Sequence, residues 1–226
     1  MKLTYLGQNG FSFEMKGKKI LSDPFITPNP LAEHINVDDI TCEYMLITHG
    51  HGDHVADAEA IAKRNAATII SNYEIVQWFG AKEIAGHPLN HGGKWVFDFG
   101  TVKYVNAVHS SVLPDGTYGG NPGGFVIWNE DICFYMAGDT ALTMDMKLIP
   151  MTCPALDFAI LPIGDNFTMG VDDAVIASTF IECNKIVGCH YDTFGYIKID
   201  HDEAIKKFKD AGKELILLNV GEAVEL

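Results

Sequence analysis

Six consecutive residues constrain this chain more than any other stretch: His49-Gly50-His51-Gly52-Asp53-His54. They place three imidazoles and a carboxylate within a span shorter than two helical turns. An apolar run, Tyr44-Met45-Leu46-Ile47-Thr48, leads directly into them. Few structural tasks need so many ligand-type side chains so close together. Holding a pair of divalent metal ions does, and such pairs activate water.

The pattern recurs at the ends of other apolar runs. Residues 102–108 finish on His109, residues 132–136 on Gly138-Asp139, and residues 185–189 on His190. Strand ends gather along one edge of a sheet, and sites in strand-helix folds form where strands deliver into loops. Residues far apart in sequence can therefore converge.

The spacing sorts the candidates. His49 and His51 are two apart, so an extended backbone sends both rings the same way. Asp53 and His54 are adjacent and diverge, which suits a second ion. Gly50 and Gly52 permit a tight turn. Asp139 can bridge both ions. Imidazole and carboxylate donors without thiolate suit zinc, manganese, iron or nickel about equally.

The rest of the chain reads as strands first, then strands alternating with helices. Residues 3–6, 11–15 and 20–22 are short strands around a Lys16-Gly17-Lys18 turn, and residues 24–36 read as a loop. Residues 57–64 and 73–79 carry helical periodicity, with a short strand at 67–70 between them, and 80–93 reads as loop. Strands are predicted at 102–108, 125–128, 132–136, 158–161, 185–189 and 214–218. Residues 172–180 read as a helix, and Asp200-His201-Asp202-Glu203 opens another. The glycine-rich segment 114–124 is either a flexible loop or a substrate lid. The two halves, roughly 1–110 and 120–226, each run from hairpin strands to strand-helix units, which suggests two similar layers. The whole chain, residues 1–226, reads as one domain.

Composition narrows the partners. The chain has 226 residues, 47% of them hydrophobic, so a sizeable core is expected. A formal net charge of −14 opposes binding to nucleic-acid backbones. Five cysteines without a CxxC pair fit a reducing compartment. No signal peptide or membrane-spanning run is visible. The expectation is a soluble cytoplasmic protein acting on a small molecule, bound to neither membrane nor nucleic acid, with homo-oligomerisation left open.

Thr48-His49-Gly50-His51-Gly52-Asp53-His54, with His109, Asp139 and His190, resembles the metallo-β-lactamase superfamily in its binuclear HxHxDH form. Further matches include Asp23-Pro24-Phe25, Pro122-Gly123-Gly124-Phe125, Met169-Gly170-Val171-Asp172-Asp173-Ala174 and His190-Tyr191-Asp192-Thr193-Phe194. These are similar to the small metal-dependent hydrolase branch related to ascorbate-phosphate lactonase. The resemblance spans nearly the whole chain. It implies an α/β fold, an αββα sandwich of two mixed sheets flanked by helices. It implies two divalent transition-metal ions (Zn, Mn, Ni or Fe): His49, His51 and His109 on one, Asp53, His54 and His190 on the other, and Asp139 between them. Oxygen-reducing di-iron members carry Glu where this chain has His51, which favours hydrolysis over redox work.

The activity implied is hydrolysis of a small ester, lactone or phosphoester through a metal-bound hydroxide, with Asp53 and Asp139 orienting the nucleophile. A phosphodiesterase and a metal-binding sensor without turnover are the alternatives. Asp23 either orients a ligand imidazole or starts a turn before Pro24. Thr48 and Thr140 read as backbone-bonding residues, Cys189 as a buried thiol, and His34, His87, His91 and His201 as surface histidines. The pocket walls are expected from loops 24–36, 80–93 and 110–124.

Overall fold

Alternating inward and outward side chains organise the strands into two sheets with a common interior. The computed structural model describes residues 1–226. The first half of the chain forms β1 (Lys2–Gly7), β2 (Gly10–Met15), β3 (Lys18–Ser22), β4 (Tyr44–Leu46), α1 (Gly52–Val55), α2 (Ala58–Asn65), β5 (Thr68–Asn72), α3 (Tyr73–Gly80) and β6 (Gly86–Leu89). The second half forms β7 (Lys94–Phe97), β8 (Gly100–Asn106), β9 (Gly123–Trp128), β10 (Cys133–Met136), α4 (Leu148–Thr152), β11 (Phe158–Pro162), α5 (Val171–Phe180), β12 (Lys185–Cys189), α6 (His201–Asp210), β13 (Glu214–Ile216) and β14 (Ala223–Glu225).

Each sheet has seven strands. One runs β14-β1-β2-β3-β4-β5-β6 and the other β13-β12-β11-β10-β9-β8-β7. Both are mixed. Antiparallel hairpins join β1 to β2, β2 to β3, β7 to β8, β8 to β9 and β9 to β10. Parallel pairs then follow, β3–β4–β5–β6 and β10–β11–β12–β13. The two similar layers expected from the sequence are present, but they do not divide at residues 110–120: β7 and β8 already belong to the second sheet, and β14 belongs to the first. β14 crosses back to pair with β1 and ties the chain ends together.

The sheets pack face to face. Phe11, Phe13, Leu46 and Ile70 from one meet Tyr104, Phe125, Phe134 and Phe158 from the other. Phe134 and Phe158 stack at 4.8 Å, and Phe13 meets Phe134 edge-on at 5.2 Å. Outside the first sheet, α2 and α3 bury Ala58, Ile61, Ile75 and Phe79 against Met45 and Ile69. Outside the second, α5 and α6 bury Ala174, Ala177, Ala204 and Phe208 against Ala159, Leu161 and Ile186. Both faces of each sheet are thus covered, which is why all four residues of β10 are buried. The arrangement is the αββα sandwich.

Four strands differ most from the sequence reading. Residues 94–97, given no strand there, form β7, whose mostly exposed side chains at a sheet edge show no alternation. Residues 86–89 are strand β6, not loop. Gly86 and Pro88 hide it, but β6 lies at a sheet edge, where a missing proline N–H does no harm. The three-residue β14 is too short to show periodicity. The last parallel strand stops at Ile216, two residues before the predicted end.

Candidate metal centre

Pairing directions dictate where the site lies. In the first sheet β1, β3 and β4 run the same way, and in the second so do β8, β10, β11 and β12. The carboxyl ends of these strands deliver Gln8 and Asn9, Asp23, the His49–His54 run, His109, Asp139 and His190. All seven residues singled out from the sequence converge at this one edge.

Three donor groups form, each with ligand atoms within 4.8 Å of one another: His49, His51 and His109; His49, His54 and Asp139; Asp53, His54 and His190. Asp139 Oδ2 is the hub. It lies 3.1 Å from His190 Nε2, 3.4 Å from His54 Nε2, 3.5 Å from His109 Nε2 and 3.9 Å from His49 Nε2. Asp53 Oδ2 lies 3.6 Å from His54 Nε2 and 3.7 Å from His190 Nε2.

The hydrogen bonds behind the rings fix their orientation. Asp23 Oδ1 accepts from the Thr48 backbone N–H at 2.9 Å, and Oδ2 from the Thr48 hydroxyl at 2.6 Å. The Thr48 hydroxyl has only one proton, so its oxygen accepts from His49 Nδ1–H at 3.1 Å, which leaves the lone pair on His49 Nε2. Asp23 Oδ2 also accepts from His54 Nδ1–H at 2.9 Å. Asp23 is therefore an orienter of ring His54, not merely a turn residue. Thr48 bonds as expected, and Thr140 does too, its hydroxyl reaching the backbone of Val108 and Ala141.

Two residues that the sequence reading passed over hold the carboxylates. Gln8 Nε2 donates to Asp53 Oδ2 at 2.8 Å, and Asn9 Nδ2 donates to Asp139 Oδ1 at 2.7 Å. Both sit in the β1–β2 turn, where Gln8 takes a left-handed φ of 55°. The buried Cys189 thiol donates to Asn9 Oδ1, so Asn9 is itself held. His190 differs from His54: its Nδ1 is buried without a partner.

The donors fit cations. His54 Nε2 is buried and has no hydrogen-bond partner, while its other nitrogen is committed to Asp23. Leaving such an atom unpaired costs about 1–3 kcal/mol, and a cation removes that cost. His49 Nε2 and His51 Nδ1 approach to 3.0 Å, a distance that two ligands of one ion also share.

Charge is finely divided among the rings. Burial, reinforced by the charge on His54, holds His49 and His51 below the usual imidazole range, and burial lowers His109. Burial also opposes the charged form of His190, but Asp139 and Asp53 outweigh it and lift the ring to about 9. His54 is raised by the same contest, facing Asp139, Asp53 and Asp23. Burial works against ionisation of Asp53 and Asp139, yet His54 and His190 hold both well below the carboxylate range. Burial pushes Asp23 up.

A pocket of about 970 Å³ opens over Asp53, His51, His109, Asp139 and His190. Its walls come from Phe25, Ser110, Phe167 and residues 193–196, not from residues 80–93 or 114–124. The segment 114–124 is strapped down instead. Trp78 Nε1 donates to Asp115 Oδ2 at 2.7 Å, and Asn72 Nδ2 donates to Gly119 O at 2.7 Å. His34, His87, His91 and His201 stay outside the cluster. His34 and His91 bond backbone carbonyls, His201 bonds Asp192, and His87 packs on Trp95.

Comparison with known proteins places the chain in a class. Residues 2–190 match the family model described as beta-lactamase superfamily domain, and the chain belongs to that superfamily. Its sequence is 60% identical over 226 residues to a UPF0173 metal-dependent hydrolase of Flavobacterium johnsoniae and 59% identical over 227 residues to one of Christiangramia forsetii, with all of each chain covered. Within the superfamily it stands among the metal-dependent hydrolases. The solved metallo hydrolase Igni18 of Ignicoccus hospitalis is 33% identical, with a TM-score of 0.89 over 99% of this chain and 97% of that one. The isothiocyanate hydrolase from Delia radicum gut bacteria shares the fold at 20% identity, with a TM-score of 0.80 over 100% and 99% of the two chains.

Proposed function

We propose that this chain hydrolyses a small carboxylic ester or lactone at two divalent transition-metal ions. His49, His51 and His109 would hold one ion, Asp53, His54 and His190 the other, with Asp139 between them. The observation that carries this reading is the position of Asp139 Oδ2, within 3.9 Å of four imidazole nitrogens drawn from both triads. The all-nitrogen and oxygen donor set suits zinc, manganese, iron or nickel. When bound, such ions lower the pKa of a coordinated water to about 7 and polarise the bond under attack.

The residues do the remaining work. Asp53 lines the pocket floor and is the more exposed of the two carboxylates, so it can accept a hydrogen bond from the attacking water and turn its lone pair toward the substrate. Asp139 is buried, with Oδ1 anchored by Asn9 and Oδ2 turned to the imidazoles. Asp23 and Thr48 keep His49 and His54 from rotating. Water adds across the acyl C–O bond. Its oxygen joins the acyl carbon, one proton passes to the released alcohol, and the acid product loses the other.

The test is reconstitution. Protein loaded with Zn²⁺, Mn²⁺ or Ni²⁺ should cleave p-nitrophenyl esters or lactones, and His51→Ala and Asp139→Asn should lose metal and activity together. Full occupancy without turnover of any ester, lactone or phosphodiester would favour a sensor and defeat the hydrolytic reading.

A further inference from the structure

The pocket walls carry a specificity statement that the metal-site residues do not. Four aromatic rings line them. Phe25 and Phe194 pair at 6.2 Å, and Phe167 and Tyr196 pair edge-on at 6.4 Å. The neutral polar groups in the lining are the hydroxyls of Ser110, Thr193 and Tyr196, and its imidazoles and carboxylates all belong to the metal-site cluster. No lysine or arginine is among the lining residues. Recognition of phosphate or carboxylate ordinarily rests on such cations, arginine above all.

The backbone segments that carry Phe167 and Tyr196 are held in place. Phe167 sits at the tip of a short turn closed by the Gly164–Gly170 bridge and by an Asp165 N–H donating to Met169 O at 3.0 Å. The Met169 N–H in turn donates to Thr140 O at 3.0 Å, next to Asp139. Tyr196 stands on a short 3-10 helix, Gly195–Ile197, closed by the Ile197 N–H on Phe194 O. Phe167 is 51% exposed and Tyr196 80%. Large apolar surface exposed at the mouth of a pocket commonly marks the part that touches a ligand.

The surroundings repel anions. Beyond Tyr196 lies a second cleft, of about 660 Å³, lined by Asp165, Asp172, Asp173, Asp200 and Glu203. Two lysines also line that cleft: Lys207 is committed to Asp172 at 2.8 Å and Glu203 at 3.3 Å, whereas Lys198 makes no ion pair and is outnumbered by the five carboxylates. Together with the net charge of −14, this excess of carboxylates beside the pocket disfavours the approach of an anionic substrate.

We propose that the substrate is uncharged and carries an apolar, ring-sized group beside the scissile acyl bond, seated between Phe25–Phe194 and Phe167–Tyr196. The inference rests on the ester or lactone hydrolase reading above and narrows it: phosphorylated and carboxylate-bearing substrates are disfavoured.

The experiment compares four probes on metal-loaded, full-length protein: p-nitrophenyl phenylacetate, p-nitrophenyl acetate, mono-p-nitrophenyl succinate and bis-p-nitrophenyl phosphate. The phenylacetate ester should exceed acetate about tenfold in kcat/KM, chiefly through KM, and should exceed the two anionic probes about a hundredfold. Phe167→Ala and Tyr196→Ala should raise KM for phenylacetate about tenfold more than for acetate, and Tyr196→Phe should restore the difference. Calorimetric binding of the uncleavable anilides of phenylacetic and succinic acid reads the same preference without turnover. Equal or better handling of the succinyl probe or the phosphodiester overturns the proposal, as does an unchanged KM ratio in both alanine variants. Selective binding of the neutral anilide with no ester cleaved overturns the hydrolase reading and leaves the pocket preference standing.

Discussion

Asp23, Gln8 and Asn9 show how much of the centre is built behind the donors. Asp23 holds His54 from its far nitrogen, and Asn9 occupies one oxygen of Asp139 so that the other must face the rings. Asp23→Ala and Asn9→Ala should each weaken metal affinity about 10–100-fold, measured by competition with a chromophoric chelator, while circular dichroism reports the retained fold. The donors themselves were legible because a strand end followed by His-x-His-x-Asp-His has few other uses. Asp23 was legible only as an alternative, since a carboxylate before proline serves equally well in a turn. Gln8 and Asn9 were not legible at all. Amides next to glycine between two short strands read as turn formers. Their role follows only from β1 and β3 running the same way, so that the β1–β2 turn reaches the same edge as Asp139.

At the scale of elements, close approach sets the tolerances. Gly138 has a φ of 64°, and a Cβ there would lie 2.7 Å from the Thr48 Cβ. Gly138→Ala should therefore strain the backbone and push on the Thr48–Asp23 contact, costing about 1–3 kcal/mol in denaturant titration. A Cβ on Gly164 would come 2.1 Å from His190 O, so the turn that carries Phe167 packs directly under a site residue. The segment 114–124 reads on composition alone as a flexible loop or a lid, because glycine content reports freedom without reporting partners. Trp78 and Asn72 supply those partners. Trp78→Phe removes the N–H donated to Asp115 and should speed amide exchange over residues 115–119, with kcat on p-nitrophenyl acetate unchanged. The elements that sequence patterning found were those with several buried residues in register. β6, β7 and β14, at sheet edges, carry too few buried positions to show a period.

Across the whole molecule, two sheets of the same design meet at one edge and concentrate opposite charges there. In the metal-free protein His190 titrates at about 9 and His54 is raised as well, against about 6.5 in the unfolded chain. The folded rings keep protons that the unfolded chain has lost. Their contribution to stability is complete below about pH 6.5 and is lost as the pH climbs through about 9. Chelated protein should thus show a falling Tm between pH 6.5 and 9. Loaded protein should not, because metal uptake expels those protons, and calorimetry in buffers of different ionisation enthalpy should detect their release at pH 7. The most direct measurement is anomalous diffraction from metal-loaded crystals, tuned to the absorption edge of the added ion. Two peaks per chain, one among His49, His51 and His109 and one among Asp53, His54 and His190, with Asp139 between them, is the expected result. A single peak, or well-ordered side chains with no peak at this edge of the sheets, would contradict it.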